Sequence, residues 1–308
     1  MLLQLGNTGK NTVKKESKMT PEEILADIRS DRIKDIIVDC DMGADGDDQF
    51  ACAYALASPD KVRVLAVTCA PYNENSHETV EWGKKESDDI ISVAGVSVRY
   101  GAIAGCPDYI TRKGGPVSCE AVDTIARIVR EADGPVYSVS TGCITNIASA
   151  LALYPDIREK LVTVWLGLDG LDSTSNTGEY NYHNDIEGGK LLFELSDNML
   201  LVEAGRTVAP FRRTDGEIKE QYSESPLAKF LANRFCEIGW AQGLWDLCAG
   251  SVLIIPDACE FRITDVPLFD EKGEICGFDS KRQMISVNKN DHERIAVDAR
   301  KRINSHNK

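Results

Sequence analysis

Apolar positions in this chain fall into short, uninterrupted runs separated by stretches with helical spacing. Ile36 to Val38 is the first run, and Val62 to Val67, Val96 to Tyr100, Val136 to Val139, Leu161 to Leu166 and Met199 to Val202 follow it. Unbroken runs, unlike alternating ones, mark strands covered on both faces, as in parallel sheets. Between them, His77 to Val93, Cys119 to Ala132 and Ile144 to Leu153 carry apolar residues at helical spacing, with Val122, Ile125, Ile128 and Val129 on one face of the second. Phe50, Ala51, Ala53, Tyr54 and Leu56 predict another helix directly after the first run. Strand and helix alternating in this way predict an α/β fold: an open, mostly parallel sheet with helices on both faces.

The ends of the chain follow different rules. Residues 1 to about 20 are polar and Lys-rich and predict a loose tail. Thr20-Pro21-Glu22-Glu23 is a helix start, with Thr as cap, Pro at the first position and Glu three residues after the cap, and the helix runs toward Ser30. Residues 1–31 are therefore expected to be a flexible tail and short helix, and residues 32–308 a single domain, since no repeat or Pro/Ser-rich linker divides them. In the last third, Leu227 to Phe235 reads as helix, Leu244 to Ile255 is apolar, and Phe261 to Val266 and Met284 to Val287 are expected to add edge strands.

The run Ile36 to Val38 ends in Asp39-Cys40-Asp41-Met42-Gly43-Ala44-Asp45-Gly46-Asp47-Asp48, which packs five carboxylates and two glycines between a buried strand and a helix. In open α/β sheets, ligands bind outside the carboxyl ends of the strands. One or two aspartates there would read as a solvated loop capping the next helix. Five in so short a loop repel one another unless a cation neutralises them, and hard oxygen ligands favour calcium or magnesium.

Further polar stretches lie where a sheet-end site would need them. Ser140-Thr141-Gly142-Cys143-Ile144-Thr145-Asn146 follows the run ending at Val139, and its Thr-Asn either caps the next helix or offers a backbone carbonyl to a metal. Asn176 to Asp185, with Glu179, Asn181 and His183, offers the donors and acceptors that a polyhydroxylated ligand requires, or is a polar surface loop. Trp245-Asp246 places one acid in an apolar segment, where it needs a cation or a capping role. Val67 to Asn75, after the second run, carries the least distinctive chemistry of the set.

Composition narrows the partners. With 35 Lys and Arg against 49 Asp and Glu, the net charge of −14 gives no basic footprint for nucleic acid. No apolar run approaches the ~20 residues of a membrane-spanning helix, and the opening apolar residues are too few for a signal peptide, so a cytoplasmic protein is expected. The ten cysteines form no C-x-x-C pair; Cys40, Cys52, Cys69, Cys143 and Cys248 sit among apolar or small residues and read as buried, reduced thiols.

Taken in order, these stretches resemble the calcium-dependent nucleoside hydrolases of the inosine–uridine-preferring type. The acidic loop is similar to that family's D-x-D-x-G-x-D-D, Gly142 to Ala148 to its G-P-L-T-N-[IL]-A, Glu179-Tyr180-Asn181 with Asp185 to its E-[FY]-N and D-P-E-A, and Trp245-Asp246 to its His-Asp. The resemblance covers about residues 33 to 255 and implies a Rossmann-like α/β fold, commonly a homodimer or homotetramer, that splits a nucleoside or related N-riboside into ribose and free base. It further implies calcium held by Asp41, Asp48, Asp246 and the Thr145 carbonyl, with a water and two ribose hydroxyls. Asp41 would take a proton from that water, Asp47, Asn176, Glu179 and Asn181 would hold the sugar, and Trp245 and His183 would lie toward the substrate.

The chain departs from the family pattern at three places. Two extra residues lengthen the acidic loop, with Asp45 as an additional acid; Trp245 replaces a histidine; and the Gly-Asn that follows the second strand is missing around Cys69-Ala70. Two other readings follow from the residues. Asp39-Cys40-Asp41 is also similar to the D-x-D of haloacid-dehalogenase phosphatases, with Asp39 as nucleophile. The missing histidine and asparagine would also suit a family member that binds a riboside without turning it over.

Overall fold

The computed structural model describes residues 18–239 and 243–308, so the N-terminal tail expected over residues 1–17 lies outside the described residues. Eight strands form one sheet: β1 (Lys34–Cys40), β2 (Val62–Cys69), β3 (Ala102–Ala104), β4 (Val136–Ser140), β5 (Leu161–Gly167), β6 (Asn198–Glu203), β7 (Cys259–Phe269) and β8 (Ile275–Asn290). Their spatial order is β3-β2-β1-β4-β5-β6-β8-β7, parallel throughout except for the antiparallel β7–β8 pair. The order reverses between β1 and β4, and this is where a doubly wound sheet opens a crevice for ligand.

The unbroken apolar runs have the expected cause. Ile36, Val38 and Cys40 enter one buried cluster and Ile37 the other, so alternate side chains of β1 serve opposite faces. β5 and β6 do the same, with Val162, Val164, Leu200 and Val202 on the first face and Leu161, Trp165, Met199 and Leu201 on the second. Burying each such side chain contributes roughly 1.5–3 kcal/mol, which fixes register on both sides of the sheet. Helices Asp47–Leu56, Pro226–Ile238, Leu247–Ile254 and His292–Ser305 cover the first face, and Glu120–Glu131, Thr145–Leu153 and Ile186–Leu195 the second. The capping box at Thr20 starts the helix Pro21–Arg29, which buries Ile24 and Ile28 in the first cluster.

Two expected elements differ. Val96 to Tyr100 is not a strand: Tyr100 N–H reaches Leu65 O at 2.9 Å, but Gly101 turns back on Val98, and pairing with β2 begins only at Ala102. The valines there pack against the first cluster, so their apolar pattern reported burial without a ladder. Phe261 to Val266 and Met284 to Val287 lie inside the long strands β7 and β8, and β8 is an interior strand, paired with β6 through Leu200–Val202. Among the described residues, no helix is long and apolar enough to cross a membrane.

Candidate active site

The carboxyl ends of β1 and β4 meet at the acidic loop. Asp41, immediately after β1, donates its backbone N–H to Asp48 Oδ1 at 3.1 Å, and Thr141, immediately after β4, donates its hydroxyl to the same oxygen at 3.0 Å. Close approach of the two loops requires glycine at 142, where a Cβ would stand 2.8 Å from the Asp41 Cβ. Gly43 turns the chain with φ +94°, and a side chain there would run into Trp82. Asp47 and Asp48 open the helix Asp47–Leu56, all of whose residues are buried, and Asp246 stands at the head of a second wholly buried helix, Leu247–Ile254. The two helix starts touch, with Asp246 N–H donating to Asp47 Oδ2 at 3.2 Å.

These acids floor a cavity of about 410 Å³ lined by Asp41, Asp45, Asp47, Asp48, Glu179 and Asp246, with Thr141, Leu166, Tyr180, Asn181, Val208 and Trp245 around them. Asp47, Asp48 and Asp246 are buried and offer oxygens that all lie within 4.8 Å of one another. Burial pushes Asp41, Asp47 and Asp246 well above the usual carboxylate range, and the neighbouring aspartates push them further. Asp48 is raised to about 6, because burial outweighs the bonds from Thr141 and its neighbours. Asp41 Oδ2 is buried and has no hydrogen-bond partner among the described residues. Buried hard oxygens that raise one another's pKa, one of them without a donor, fit a hard divalent cation.

Glu179 stands across the cavity. It caps the helix Tyr180–Asn184 through Asn181 N–H (3.0 Å) and Tyr182 N–H (2.9 Å) and also accepts Leu168 N–H (3.1 Å). Burial lifts its carboxyl to about 7 against those three donors. Asn181 donates to the carbonyls of Thr141 (2.6 Å) and Leu166 (2.9 Å), tying this wall to β4 and β5.

The family model described as inosine-uridine preferring nucleoside hydrolase matches residues 36–300. The chain belongs to that family. The pyrimidine-specific ribonucleoside hydrolase RihA of Salmonella newport (strain SL254) is 29% identical over 205 residues, which cover 59% of this chain and 64% of that protein. Its counterpart in Klebsiella pneumoniae (strain 342) is 30% identical over 183 residues, covering 52% of this chain and 56% of the relative. The chain therefore spans less than two thirds of the length of these curated relatives. Among solved structures, the inosine-uridine preferring nucleoside hydrolase of Bacillus anthracis has a TM-score of 0.69 at 18% identity, covering 88% of this chain and 99% of that one. The purine-preferring ribonucleoside hydrolase of Gardnerella vaginalis also has a TM-score of 0.69, at 20% identity, with coverages of 88% and 98%. At these identities the two structures establish the shared α/β fold.

Of the residues singled out in this nucleoside hydrolase family member, Asp41, Asp47, Asp48, Glu179, Asn181, Trp245 and Asp246 come together on the cavity. Asn176, Thr145 and His183 are not among its lining residues. Asn176 is fully buried and accepts Gly170 N–H at 3.1 Å, which holds the loop after β5. Thr145 begins a helix and donates its hydroxyl to Asp185 at 2.5 Å. His183 Nδ1 is 3.0 Å from Thr177 O on the exposed side of its helix. Asp39 lies below the cavity, where its Oδ1 accepts from Thr68 (2.6 Å) and Asn146 (2.8 Å), so a phosphatase nucleophile at Asp39 has no access to substrate.

Thr141, Tyr180, Val208 and Asp45 line the cavity without having been assigned a role from sequence. Tyr180 was within reach, since it is the aromatic of the Glu-Tyr-Asn triplet. Val208 had no signal, because it arrives through a short turn after β6. Of the two-residue insertion, Asp45-Gly46, Asp45 lies on the cavity wall next to Ala44.

Proposed function

We propose that this chain hydrolyses the N-glycosidic bond of a nucleoside or related N-riboside, releasing ribose and the free base. The carrying observation is the buried carboxylate floor at the β1/β4 crevice, set at the base of a cavity of about 410 Å³ in a member of this family. Asp41, Asp48 and Asp246 would hold a calcium ion in this reading, with Asp47 beside them within reach of the same position; the Thr145 carbonyl, which the resemblance adds to the set, is not on the cavity lining. When bound, the ion neutralises the clustered carboxylates and supplies Lewis acidity and orientation for a water and the ribose hydroxyls.

The remaining steps belong to the protein. Asp41, buried and with its Oδ2 lacking a donor, takes the proton of the attacking water as the water oxygen bonds to the anomeric carbon. The carbon–nitrogen bond breaks toward the base. Positive charge that develops on the sugar is stabilised by the surrounding carboxylates, which are already in place before reaction. Asp47, Glu179 and Asn181 bind the ribose hydroxyls, and Trp245 and Tyr180 offer aromatic faces to the base.

Release of reducing sugar from a panel of ribosides, with Asp41→Ala and Asp246→Ala alongside, tests this reading. Activity should require calcium and fall at least ~10³-fold in Asp41→Ala, since the general base and a metal ligand are lost together. Turnover of every riboside by Asp41→Ala at the wild-type rate would sink it. Tight riboside binding with no product from the wild type would leave a binding protein instead.

A further inference from the structure

The cavity wall carries six carboxylates, from Asp41, Asp45, Asp47, Asp48, Glu179 and Asp246, and among the described residues its lining includes no Lys, Arg or His. Arg212 lies over the Trp245 ring at 5.8 Å but is outside the lining. The four histidines are placed elsewhere. His183 meets Thr177 O, His292 Nε2 lies 2.8 Å from Thr207 O, His306 Nε2 lies 2.8 Å from Ala94 O, and His77 is exposed in the first turn of the helix Ser76–Ala94. Residues 240–242 are Trp, Ala and Gln and add no imidazole or ammonium group.

Those facts bear on the leaving group. A neutral base departs as an anion unless an acid protonates it, and a positioned acid is worth ~10²–10⁴ in rate. The raised carboxyls of this cavity, Glu179 included, are committed in the proposed reaction to the ribose and the metal, which leaves the base side without an imidazole or ammonium acid. A base that already carries a fixed positive charge on its glycosidic nitrogen needs no acid. Carboxylates beyond those a bound ion neutralises, together with aromatic faces in a low-dielectric cavity, also select a cation.

We infer that the preferred substrate of this site is a riboside with a cationic base, an N-ribosylpyridinium, a reading that rests on the hydrolase function proposed above. Water bonds to the anomeric carbon and gives its proton to Asp41. The carbon–nitrogen bond breaks, and its electron pair neutralises the ring nitrogen, so a neutral pyridine leaves and no proton is taken from the protein on that side. Trp245 and Tyr180 bind the charged ring by its face.

The experiment compares kcat/KM for nicotinamide riboside, inosine and uridine with the wild-type chain in calcium. Nicotinamide riboside should exceed both neutral nucleosides by ~100-fold or more. Trp245→His should narrow the gap by raising inosine turnover about tenfold or more, because it introduces an acid where the indole stood. Tyr180→Phe should move the charged and neutral classes together. Inosine or uridine matching nicotinamide riboside in the wild type overturns the inference while leaving the hydrolase reading intact. A selective loss of neutral-nucleoside turnover in Tyr180→Phe also overturns it, by showing that the phenol supplies the acid. Failure of all three substrates overturns the hydrolase reading and this inference with it.

Discussion

Glu179 shows how a single residue can serve both the backbone and the site. Its carboxylate takes three backbone N–H groups, one of them from Leu168, which is held at φ +57°, an uncommon value for a bulky residue. Those bonds favour the charged form, yet burial dominates and places the pKa near 7. An unfolded glutamate titrates near 4.3, so between about pH 4.3 and 7 the folded state keeps a proton that the unfolded state has released. Stability from this group is full below about pH 4.3 and is lost as pH rises to about 7, by at most on the order of 4 kcal/mol. Glu179→Gln cannot titrate, so urea midpoints of the variant, measured from pH 5 to 7.5, should slope less steeply downward than the wild type's. An identical slope in the two proteins would show that Glu179 titrates normally. Glu179 and Asn181 were legible in the sequence because a carboxylate and an amide two residues apart already suggest a sugar. Asn176 and His183 were equally polar and equally close in sequence, but their side chains turn to Gly170 and Thr177, and sequence spacing carries no record of that direction.

Among elements, helix starts organise this molecule. Asp185 caps the helix Ile186–Leu195 through Gly188 N–H at 3.2 Å. It also accepts Ile110 N–H (3.1 Å), the Thr111 N–H and hydroxyl (both 2.8 Å) and the Thr145 hydroxyl (2.5 Å). One carboxylate thus joins three helix starts on the second face of the sheet. Asp185→Ala would leave several buried donors unpaired, each worth about 1–3 kcal/mol, and should lower unfolding free energy by roughly 3 kcal/mol or more, read from denaturant titration. Asp185→Asn should recover part of the loss. A change under about 1 kcal/mol in the alanine variant would show that water replaces the carboxylate at no cost. Helices Asp47–Leu56 and Leu247–Ile254 aim their positive ends at the aspartate cluster, easing its charge. Their sequence signals were unequal in quality. Amphipathic helices such as Glu120–Glu131 stand out because they have one wet face, whereas Leu247–Ile254 is buried all round and its apolar run did not reveal its type. The 14-residue helix His292–Ser305, which closes the first face, was missed because charged residues outnumber its buried contacts at Ile295, Ala299 and Ile303.

At the scale of the whole molecule, the carboxylate floor joins parts of the chain that fold separately in sequence: Asp41 and Asp48 from the first strand–helix unit, and Asp246 from the last third. A cation bound among them would act as a cross-link present only in the folded state, and would stabilise it by mass action. At 100 times its dissociation constant the ion should contribute about 2.7 kcal/mol. For a chain of 308 residues that corresponds to a rise in Tm of roughly 4 °C. Chelator-treated protein should therefore melt lower, and added calcium should restore the difference. The gain should be larger at pH 7.5 than at pH 5.5, because the raised pKa values of Asp41, Asp47, Asp48 and Asp246 leave more protons to be displaced at the lower pH. Asp246→Asn keeps the shape of the floor and removes one charge, so its calcium-dependent shift should shrink to about 2 °C or less by the same scaling. An equal shift in wild type and Asp246→Asn would place the stabilising ion elsewhere on this acidic protein, and the carboxylate floor would then need another explanation for its burial.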